Sequence, residues 1–344
     1  MNSPATTTKT RESNMELLRI VAMLLIMLIH ASNRALPTPD AETIASQPSS
    51  AFLLLLTRSF SIVGVDVFVM LSGWFGIRPR WSRLGELLFQ VVFFSLLCLG
   101  GYYAFFGQLP CPAGLCAKTI VLLDPDSYWF IKCYLALYLF APVLNAFVES
   151  ASKQQFATVL LTLFGFQFAF GWVFEATSWL CAGYSLPFFM CLYLLARYMR
   201  LHQPKFAQFS KRTDLGIYLA TVVVVTITVF FMRRYFNLGG VLYFYNSPTT
   251  ILAATYLLLF FSKLSLRSRL TNWIAASALA VYLTHSNNWL GLYYDSTIQQ
   301  WFATQPRITF ILSTALLIVA VYAVSILLDK LRIWLYQRIF HQSK

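Results

Sequence analysis

The sequence predicts an all-α, polytopic integral membrane protein of about ten transmembrane helices, with its N- and C-termini in the cytoplasm. Of its 344 residues, 58% are hydrophobic and only 11% are charged, whereas soluble domains carry roughly 25% charged residues. The basic residues give a net charge of +13 and lie in short clusters between long apolar runs. This distribution is typical of loops in membrane proteins and argues against nucleic-acid binding.

Ten apolar runs have the length of about 17–25 residues that a membrane-spanning helix requires. The fifth and sixth are separated least, because Glu175 to Cys181 leaves little room for a turn. The eighth is short and has Pro248 near its start, where a helix tolerates proline. The runs cover approximately residues 15–36, 51–77, 84–106, 127–148, 155–175, 179–199, 213–235, 247–263, 272–292 and 307–328.

The Lys and Arg residues indicate how these spans are oriented. With the N-terminus inside, 18 of the 26 lie in cytoplasmic segments, five lie on the opposite side and three lie within spans. Such an excess in cytoplasmic loops follows the positive-inside rule. An even number of spans therefore leaves both ends in the cytoplasm.

The segments outside the spans are short. Residues 1–13 are polar and lack the apolar core of a secretory signal, so we interpret them as a disordered cytoplasmic tail. Residues 329–344 alternate basic and apolar side chains. They are predicted to form a cytoplasmic tail, either an amphipathic helix on the membrane surface or an extension of the last span. Cys111 and Cys116, on the non-cytoplasmic side, could form a disulfide there, although their spacing alone leaves this open.

Two ionisable residues stand out in the first span, Arg19 and His30. Eleven residues at about 100° each amount to three turns plus about 20°, so both side chains leave the same face of the helix. At about 1.5 Å per residue they lie roughly 16 Å apart along its axis. Either residue could have a structural role only. Arg19 could extend to the headgroups, and His30 could be a hydrogen-bonded core residue. Their shared face favours a functional groove.

The second span contains Arg58 and Asp66, both costly at membrane depth. The more probable role of Asp66 is a structural ion pair with Arg19 or Arg58. Ser72, Gly73 and Gly76 follow, and the two glycines are expected to weaken the helix end and expose its backbone. Immediately inside lie three arginines, which suit a polyphosphate ligand because guanidinium binds phosphate bidentately: Arg78, Arg80 and Arg83.

The ninth span carries Ser277, Tyr282 and His285. Its direction places His285 at about the depth of His30, so the two imidazoles could form a proton-handling site. No cluster of Cys, His, Asp or Glu with ligand spacing accompanies them, and we predict no metal site.

In order along the chain, these motifs resemble the membrane-bound acyltransferase 3 family. Arg19 followed by ten residues and His30 resembles the family's first helix, and residues 65–74 resemble its second. Arg80-Trp81-Ser82-Arg83 matches its Arg-x-x-Arg element. Tyr128-Trp129-Phe130 and the segment from Ser277 to His285 resemble two further helices of the family.

The resemblance implies transfer of an acyl group, usually acetyl from acetyl-coenzyme A, to a hydroxyl of a cell-envelope glycan or a related, lipid-linked carbohydrate. It implies a bacterial plasma-membrane location, with residues 14–328 forming the acyltransferase domain. It also implies functional roles for Arg19, His30, Arg80 and Arg83.

The residues and the resemblance together lead to a mechanistic hypothesis. The phosphates of the acyl-CoA donor bind at the cytoplasmic mouth, and His30 acts as general base on the acceptor hydroxyl. Tyr282, His285 or Asn33 orient His30 or stabilise the oxyanion. The residues assigned to the donor site are Arg78, Arg80, Arg83, Ser72, Gly73 and Asp66. The alternative function is a transporter or flippase for a lipid-linked glycan, which would use the same buried charges.

Overall fold

The computed structural model describes residues 12–174, 180–236 and 238–341. In these residues it contains fifteen α-helices and no strand, which confirms the predicted all-α class. The helices are α1 Ser13–Ile29, α2 Ala41–Ser46, α3 Pro48–Ser61, α4 Gly64–Phe75, α5 Trp81–Phe106, α6 Ala113–Ile120, α7 Trp129–Ser150, α8 Lys153–Phe168, α9 Leu186–His202, α10 Lys211–Phe236, α11 Pro248–Ser262, α12 Arg269–Ala275, α13 Ala278–His285, α14 Gly291–Thr304 and α15 Arg307–His341.

Seven helical segments in the described residues are long and apolar enough to cross a membrane. They correspond to the first five, the seventh and the tenth of the predicted spans. The segments are Ser13–Arg34, Pro48–Phe75, Trp81–Phe106, Trp129–Ser150, Lys153–Val173, Lys211–Phe236 and Arg307–Phe340. We call the end of the bundle at which α1 begins the N-terminal face, and the end at which α1 finishes the distal face.

The other three predicted spans correspond to short interior helices. Helix α9 has 17 residues and α11 has 15, or about 25 and 22 Å at 1.5 Å per residue. The predicted ninth span is divided into α12 and α13. Most residues of α11 and α13 are buried, so they are surrounded by protein rather than lipid. Their crossing of the full hydrocarbon layer, and the count of ten, stay a prediction.

Helix α4 is packed closely against two neighbours, and glycine makes both contacts possible. A Cβ atom on Gly64 would lie 2.9 Å from the carbonyl oxygen of Ala22 in α1. A Cβ atom on Gly73 would lie 2.4 Å from the carbonyl oxygen of Tyr193 in α9. Both distances are too short for real side chains. The expectation that Gly73 exposes its backbone is therefore wrong, because α9 covers it.

The second span bends where α3 ends and α4 begins, and Arg58 lies just before the bend. Arg58 is fully buried, and its guanidinium donates to the carbonyl oxygens of Ser32, Leu36 and Pro37 and to the Thr38 hydroxyl. It therefore binds the chain that leaves α1. We call this set of bonds the Arg58 clamp.

The predicted ion pair of Asp66 is wrong. Arg58 is occupied by the clamp, and Arg19 pairs with Glu16, one turn earlier in α1, at 2.5 Å. Asp66 is fully buried, and in the described part of the chain neither carboxylate oxygen has a hydrogen-bond partner. Arg19 binds Glu16 within its own helix and Arg58 binds the loop that follows α1, so neither guanidinium is available to Asp66.

Helix α15 continues without a break from the last span to His341, which is the extension that the sequence left open. Asp329 is buried within it, accepting from Gln90 of α5 at 2.9 Å and pairing with Arg332 at 2.8 Å. These two residues of the predicted tail therefore pack against α5. Of the predicted disordered tail, residues 1–13, the first eleven lie outside the described residues, whereas Ser13 begins α1 and is buried.

Cys111 and Cys116 are free thiols in the structure. The Cys116 thiol donates to the carbonyl oxygen of Cys111 at 3.3 Å. The disulfide that the sequence allowed is thus not formed.

We expect Gly73→Ala to destabilise the protein, because its methyl group would push α4 away from the Tyr193 backbone. Overpacking of this kind costs about 1–3 kcal/mol. Gly85→Ala in α5 is the matched control, since nothing lies within 4 Å of its added Cβ. Thermal unfolding in detergent would measure both variants. Equal midpoints for Gly73→Ala and the wild type would contradict the close contact.

Candidate active site

A cavity of about 440 Å³ opens at the distal face. Helix α1, the start of α7, the end of α13 and the start of α14 all contribute to its walls. Most of its lining is polar or aromatic, with His30, Asn33, Arg34, Asp126, Tyr128, Trp129, Tyr184, Tyr243, Tyr245, Tyr282, Ser286, Asn287, Asn288 and Asp295. This composition suits a polar ligand that carries an apolar face.

His30 reaches the cavity from a distortion at the end of α1. The helix widens there into a π-helical turn, His30–Arg34, a feature frequent at functional sites. The Arg58 clamp binds the carbonyl of Ser32 inside this turn. His285 is the last residue of α13 and is only 2% exposed. The ends of two helices thus bring the histidines together.

The two histidines are in direct contact. His30 Nδ1 lies 3.0 Å from His285 Nε2, and the ring centroids are 5.0 Å apart. The hydroxyl of Ser286 lies 3.3 Å from each of these nitrogens. The residues predicted to share a depth in the membrane are therefore hydrogen-bonded to each other.

The hydrogen bonds assign the tautomers of the neutral pair. His285 Nδ1 lies 2.6 Å from the carbonyl oxygen of Val281. A carbonyl only accepts, so this nitrogen carries the proton and Nε2 carries the lone pair. His30 Nδ1 must then donate to His285 Nε2. The remaining nitrogen, His30 Nε2, is left with a free lone pair on a side chain that lines the cavity.

An ion pair closes the site beside the histidines. Arg34 Nε lies 2.6 Å from Asp295 Oδ2, and Arg34 Nη2 lies 3.0 Å from Oδ1. Arg34 also donates to the carbonyl of His285 at 3.2 Å. Burial raises the pKa of Asp295, while its bonds to Arg34 oppose that rise. The pair links the turn after α1 to α14 and to the end of α13.

Two hydroxyls fix the backbone around the histidines. Tyr128 donates to the carbonyl of Leu283 at 2.8 Å and accepts from the Asn287 amide at 2.7 Å. Tyr294 donates to the carbonyl of Met27 at 3.1 Å. The backbone next to each histidine is therefore held by a tyrosine from another part of the chain.

An aromatic wall forms another side of the cavity. Trp129 lies 4.4 Å from Tyr184 and 5.7 Å from Tyr245 between ring centroids, and the two tyrosines are 5.1 Å apart. All three line the cavity. We call these three residues the aromatic wall.

A column of rings leads from the cavity toward the N-terminal face. Tyr282 lines the cavity and lies 5.5 Å from Phe130, which stacks on Tyr134 at 5.9 Å. The Tyr134 hydroxyl lies 3.2 Å from the hydroxyl of Ser72. These rings fill space between the cavity and the end of α4, so Ser72 does not reach the cavity directly.

The three arginines after α4 are exposed at the N-terminal face. Their turn is held at its backbone, because Tyr138 accepts from the amide of Arg80 at 2.7 Å and donates to its carbonyl at 3.0 Å. Asn145 donates to the carbonyl of Ile77 at 2.7 Å, and Tyr193 accepts from the Ile77 amide at 3.1 Å. The side chains of Arg78 and Arg80 therefore project from a fixed loop, and that of Arg83 projects from the first turn of α5.

The predicted site residues fall into two groups. His30, Tyr282 and Asn33 line the distal cavity, and His285 lies buried behind His30, 3.0 Å from its Nδ1. Arg78, Arg80 and Arg83 lie at the other face. Neither Arg19 nor Asp66 is part of the cavity lining, so the continuous groove from Arg19 to His30 is not formed by this cavity.

Sequence reasoning missed Arg34, Asp295 and the aromatic wall. Arg34 follows His30 by four residues, a spacing that places both on one helix face, and this signal was available. Asp295 and Tyr245 carry no comparable local signal. Among the described residues, no group of three or more His, Cys, Asp or Glu could hold a metal ion.

Comparison with known proteins identifies the family of the chain. A family model described as an acyltransferase domain, that of acyltransferase family 3, matches residues 12–330. No curated protein and no solved structure matches significantly. Because the match spans nearly the whole helical bundle, the chain belongs to the acyltransferase 3 family and is a multi-pass membrane acyltransferase.

Proposed function

We propose that the protein transfers an acyl group, acetyl in the first instance, from acyl-CoA to a hydroxyl of a cell-envelope glycan at a bacterial plasma membrane. The donor binds at the N-terminal, cytoplasmic face and the acceptor in the distal cavity. The observation that carries this proposal is that His30 lines an open polar cavity and is hydrogen-bonded from behind to the buried His285. The family assignment supplies the class of reaction.

The cavity supports a carbohydrate acceptor. The aromatic wall offers flat apolar surfaces beside polar groups, which suit the C–H faces of a sugar ring. Asn33, Asn288 and Asp126 offer amide and carboxylate partners for its hydroxyls. A purely lipidic acceptor would leave these polar groups without partners, at a cost in binding free energy.

His30 acts as general base in this proposal. Its Nε2 takes the proton from the acceptor hydroxyl as the oxygen attacks the thioester carbonyl carbon. The carbon–sulfur bond then breaks, and the thiolate receives the proton from His30 Nε2. The products are the ester and free coenzyme A, so atoms and protons balance. His285 orients His30 by accepting from its Nδ1.

The developing oxyanion needs donors near the attacked carbon. Tyr282 and Asn33 line the same cavity as His30 and carry neutral donors. Arg34 is held by Asp295 at the edge of the site, where its charge favours a nearby anion. We assign the oxyanion to Tyr282 and Asn33.

On the donor side, Arg80 and Arg83 bind the acyl-CoA donor, and Arg78 lies beside them. Their guanidinium groups match the phosphates of coenzyme A, and the fixed backbone of their turn limits the entropy lost on binding. The pantetheine arm then passes Ser72, and Phe130 and Tyr134 must move aside for it to reach His30. Gly73 contributes by packing α4 on α9, and Asp66 supplies a buried carboxyl near this route.

The rival function, transport or flipping of a lipid-linked glycan, would need the same cavity but no base. Membership of an acyltransferase family favours the enzyme. Transport without ester formation, measured in the reconstituted system below, would favour the rival.

His30→Ala should abolish ester formation, because general-base catalysis supplies about 10²–10⁴-fold in rate. Protein in liposomes would receive labelled acetyl-CoA at its N-terminal face and envelope glycan at the distal face. His202→Ala, at the end of α9 and outside the cavity, is the matched control. Transfer at the wild-type rate by His30→Ala, with both variants folded, would refute the base.

His285→Ala should lower kcat and leave KM for both substrates nearly unchanged. One net hydrogen bond is worth about 1 kcal/mol, so we expect a loss of roughly fivefold, smaller than that of His30→Ala. The double variant should lose no more than His30→Ala alone, because His285 acts through His30. Additive losses would show that His285 acts independently.

Arg80→Gln and Arg83→Gln should each raise the donor KM and leave the acceptor KM unchanged. A charge-assisted bond to phosphate is worth about 1.5–3 kcal/mol, which corresponds to a change of about tenfold or more. Arg269→Gln, at the start of α12 on the same face, tests whether any lost positive charge has this effect. A donor KM equally raised in all three variants would contradict a specific phosphate site.

A further inference from the structure

A second cavity, of about 560 Å³, lies on the other side of the turn that carries His30. We call it the lateral groove. It runs between α3 and α15, and its walls are mainly apolar, including Leu28, Leu53, Leu54, Phe310, Ile311 and Ile318. Ala315 in its wall is exposed, so the groove is open along the outer surface of the helix bundle.

The length of the lateral groove matches one leaflet. Its lining on α15 extends from Arg307 to Ile318, or about 16 Å at 1.5 Å per residue. The hydrocarbon core is about 30 Å thick. The groove thus has the depth of a single phospholipid tail that enters from the distal face.

A cation lies at the distal mouth of the groove. The Arg307 guanidinium donates to the Ser50 hydroxyl at 2.5 Å and to the Ser49 hydroxyl at 3.5 Å. These hydroxyls orient the guanidinium but leave its charge unneutralised. The groove lining contains no carboxylate, and Arg307 forms no ion pair in the described part of the chain.

Two polar atoms inside the groove lack partners. The Thr314 hydroxyl and the Gln305 amide oxygen are buried without a hydrogen bond. Thr314 is only 8% exposed, and both residues line the groove. Buried polar atoms usually have partners. A glycerol hydroxyl or ester near the mouth would supply them.

From these observations we propose that the lateral groove binds an anionic phospholipid of the distal leaflet. One acyl chain lies between α3 and α15, and the phosphate pairs with Arg307. The Thr314 hydroxyl donates to a glycerol ester, and the Gln305 amide oxygen accepts from a headgroup hydroxyl. Charge complementarity selects the anionic headgroup. The half-bilayer length selects a phospholipid tail over the longer chain of a polyprenyl carrier.

The bound lipid would contact the back of the active site. Ala31 and Ser32 line the lateral groove, whereas the preceding residue, His30, lines the acceptor cavity. The π-helical turn is therefore the wall between the two cavities. A lipid in the groove packs against the same turn that the Arg58 clamp holds on its loop side.

The test uses the full chain, purified and delipidated, with phosphatidylglycerol and phosphatidylcholine of identical acyl chains as probes. Native mass spectrometry would count the retained lipids, and a tail-borne photoreactive group would map their position. The wild type should prefer phosphatidylglycerol about tenfold and should be labelled at Phe310 and Ile311. Neither readout depends on acyl transfer, so this proposal and the enzymatic one fail independently.

Variants distinguish specific lipid binding in the lateral groove from non-specific contact with surrounding lipid. Arg307→Gln should remove the preference for phosphatidylglycerol, and Ala315→Trp, which fills the groove, should remove the labelling. Arg234→Gln, at the distal end of α10 and outside the groove, should change neither.

Other outcomes would overturn the proposal. An unchanged preference in Arg307→Gln, or labelling spread evenly over the outer helices, would show ordinary surrounding lipid. Displacement of phosphatidylglycerol by a polyprenyl phosphate at equal concentration would assign the groove to a lipid-linked acceptor instead.

Discussion

The Arg58 clamp is the interaction on which the geometry of the distal cavity depends. A fully buried guanidinium is costly at membrane depth unless its donors are satisfied, and here three carbonyls and one hydroxyl from residues 32–38 satisfy them. These bonds hold the chain where α1 stops being regular. His30 and Arg34 occupy the turn that results, so the geometry of the histidine pair follows from a residue that does not touch it.

The same principle applies at both faces of the bundle. At the distal face Tyr128 and Tyr294 bind backbone carbonyls next to the histidines, and at the N-terminal face Tyr138 binds both the amide and the carbonyl of Arg80. Between the faces the column of rings is packed and largely apolar. Two polar ends are therefore separated by a segment that is held mainly by ring packing, with one hydrogen bond between Tyr134 and Ser72.

Local periodicity explains what could be predicted from the sequence. The long apolar runs predicted ten spans, and seven of them correspond to helices long and apolar enough to cross a membrane. The direction of the ninth run predicted that His285 lies at about the depth of His30. In the structure the two imidazoles are hydrogen-bonded to each other. The partners of Arg58 and Asp66 could not be obtained this way, because they depend on which loop carbonyls approach a side chain. The contact between Arg34 and Asp295, 261 residues apart, depends on the packing of three helices.

The clamp bonds to peptide carbonyls, and this has a consequence for sequence divergence. A carbonyl is present at every residue, so most substitutions at positions 32, 36 or 37 would preserve the acceptors of Arg58. The carbonyls of residues 283 and 27, which accept from the Tyr128 and Tyr294 hydroxyls, would likewise be preserved by most substitutions. The side chains that line the distal cavity can therefore change, and with them the ligands that the cavity admits, while the hydrogen bonds that hold the His30 turn stay intact.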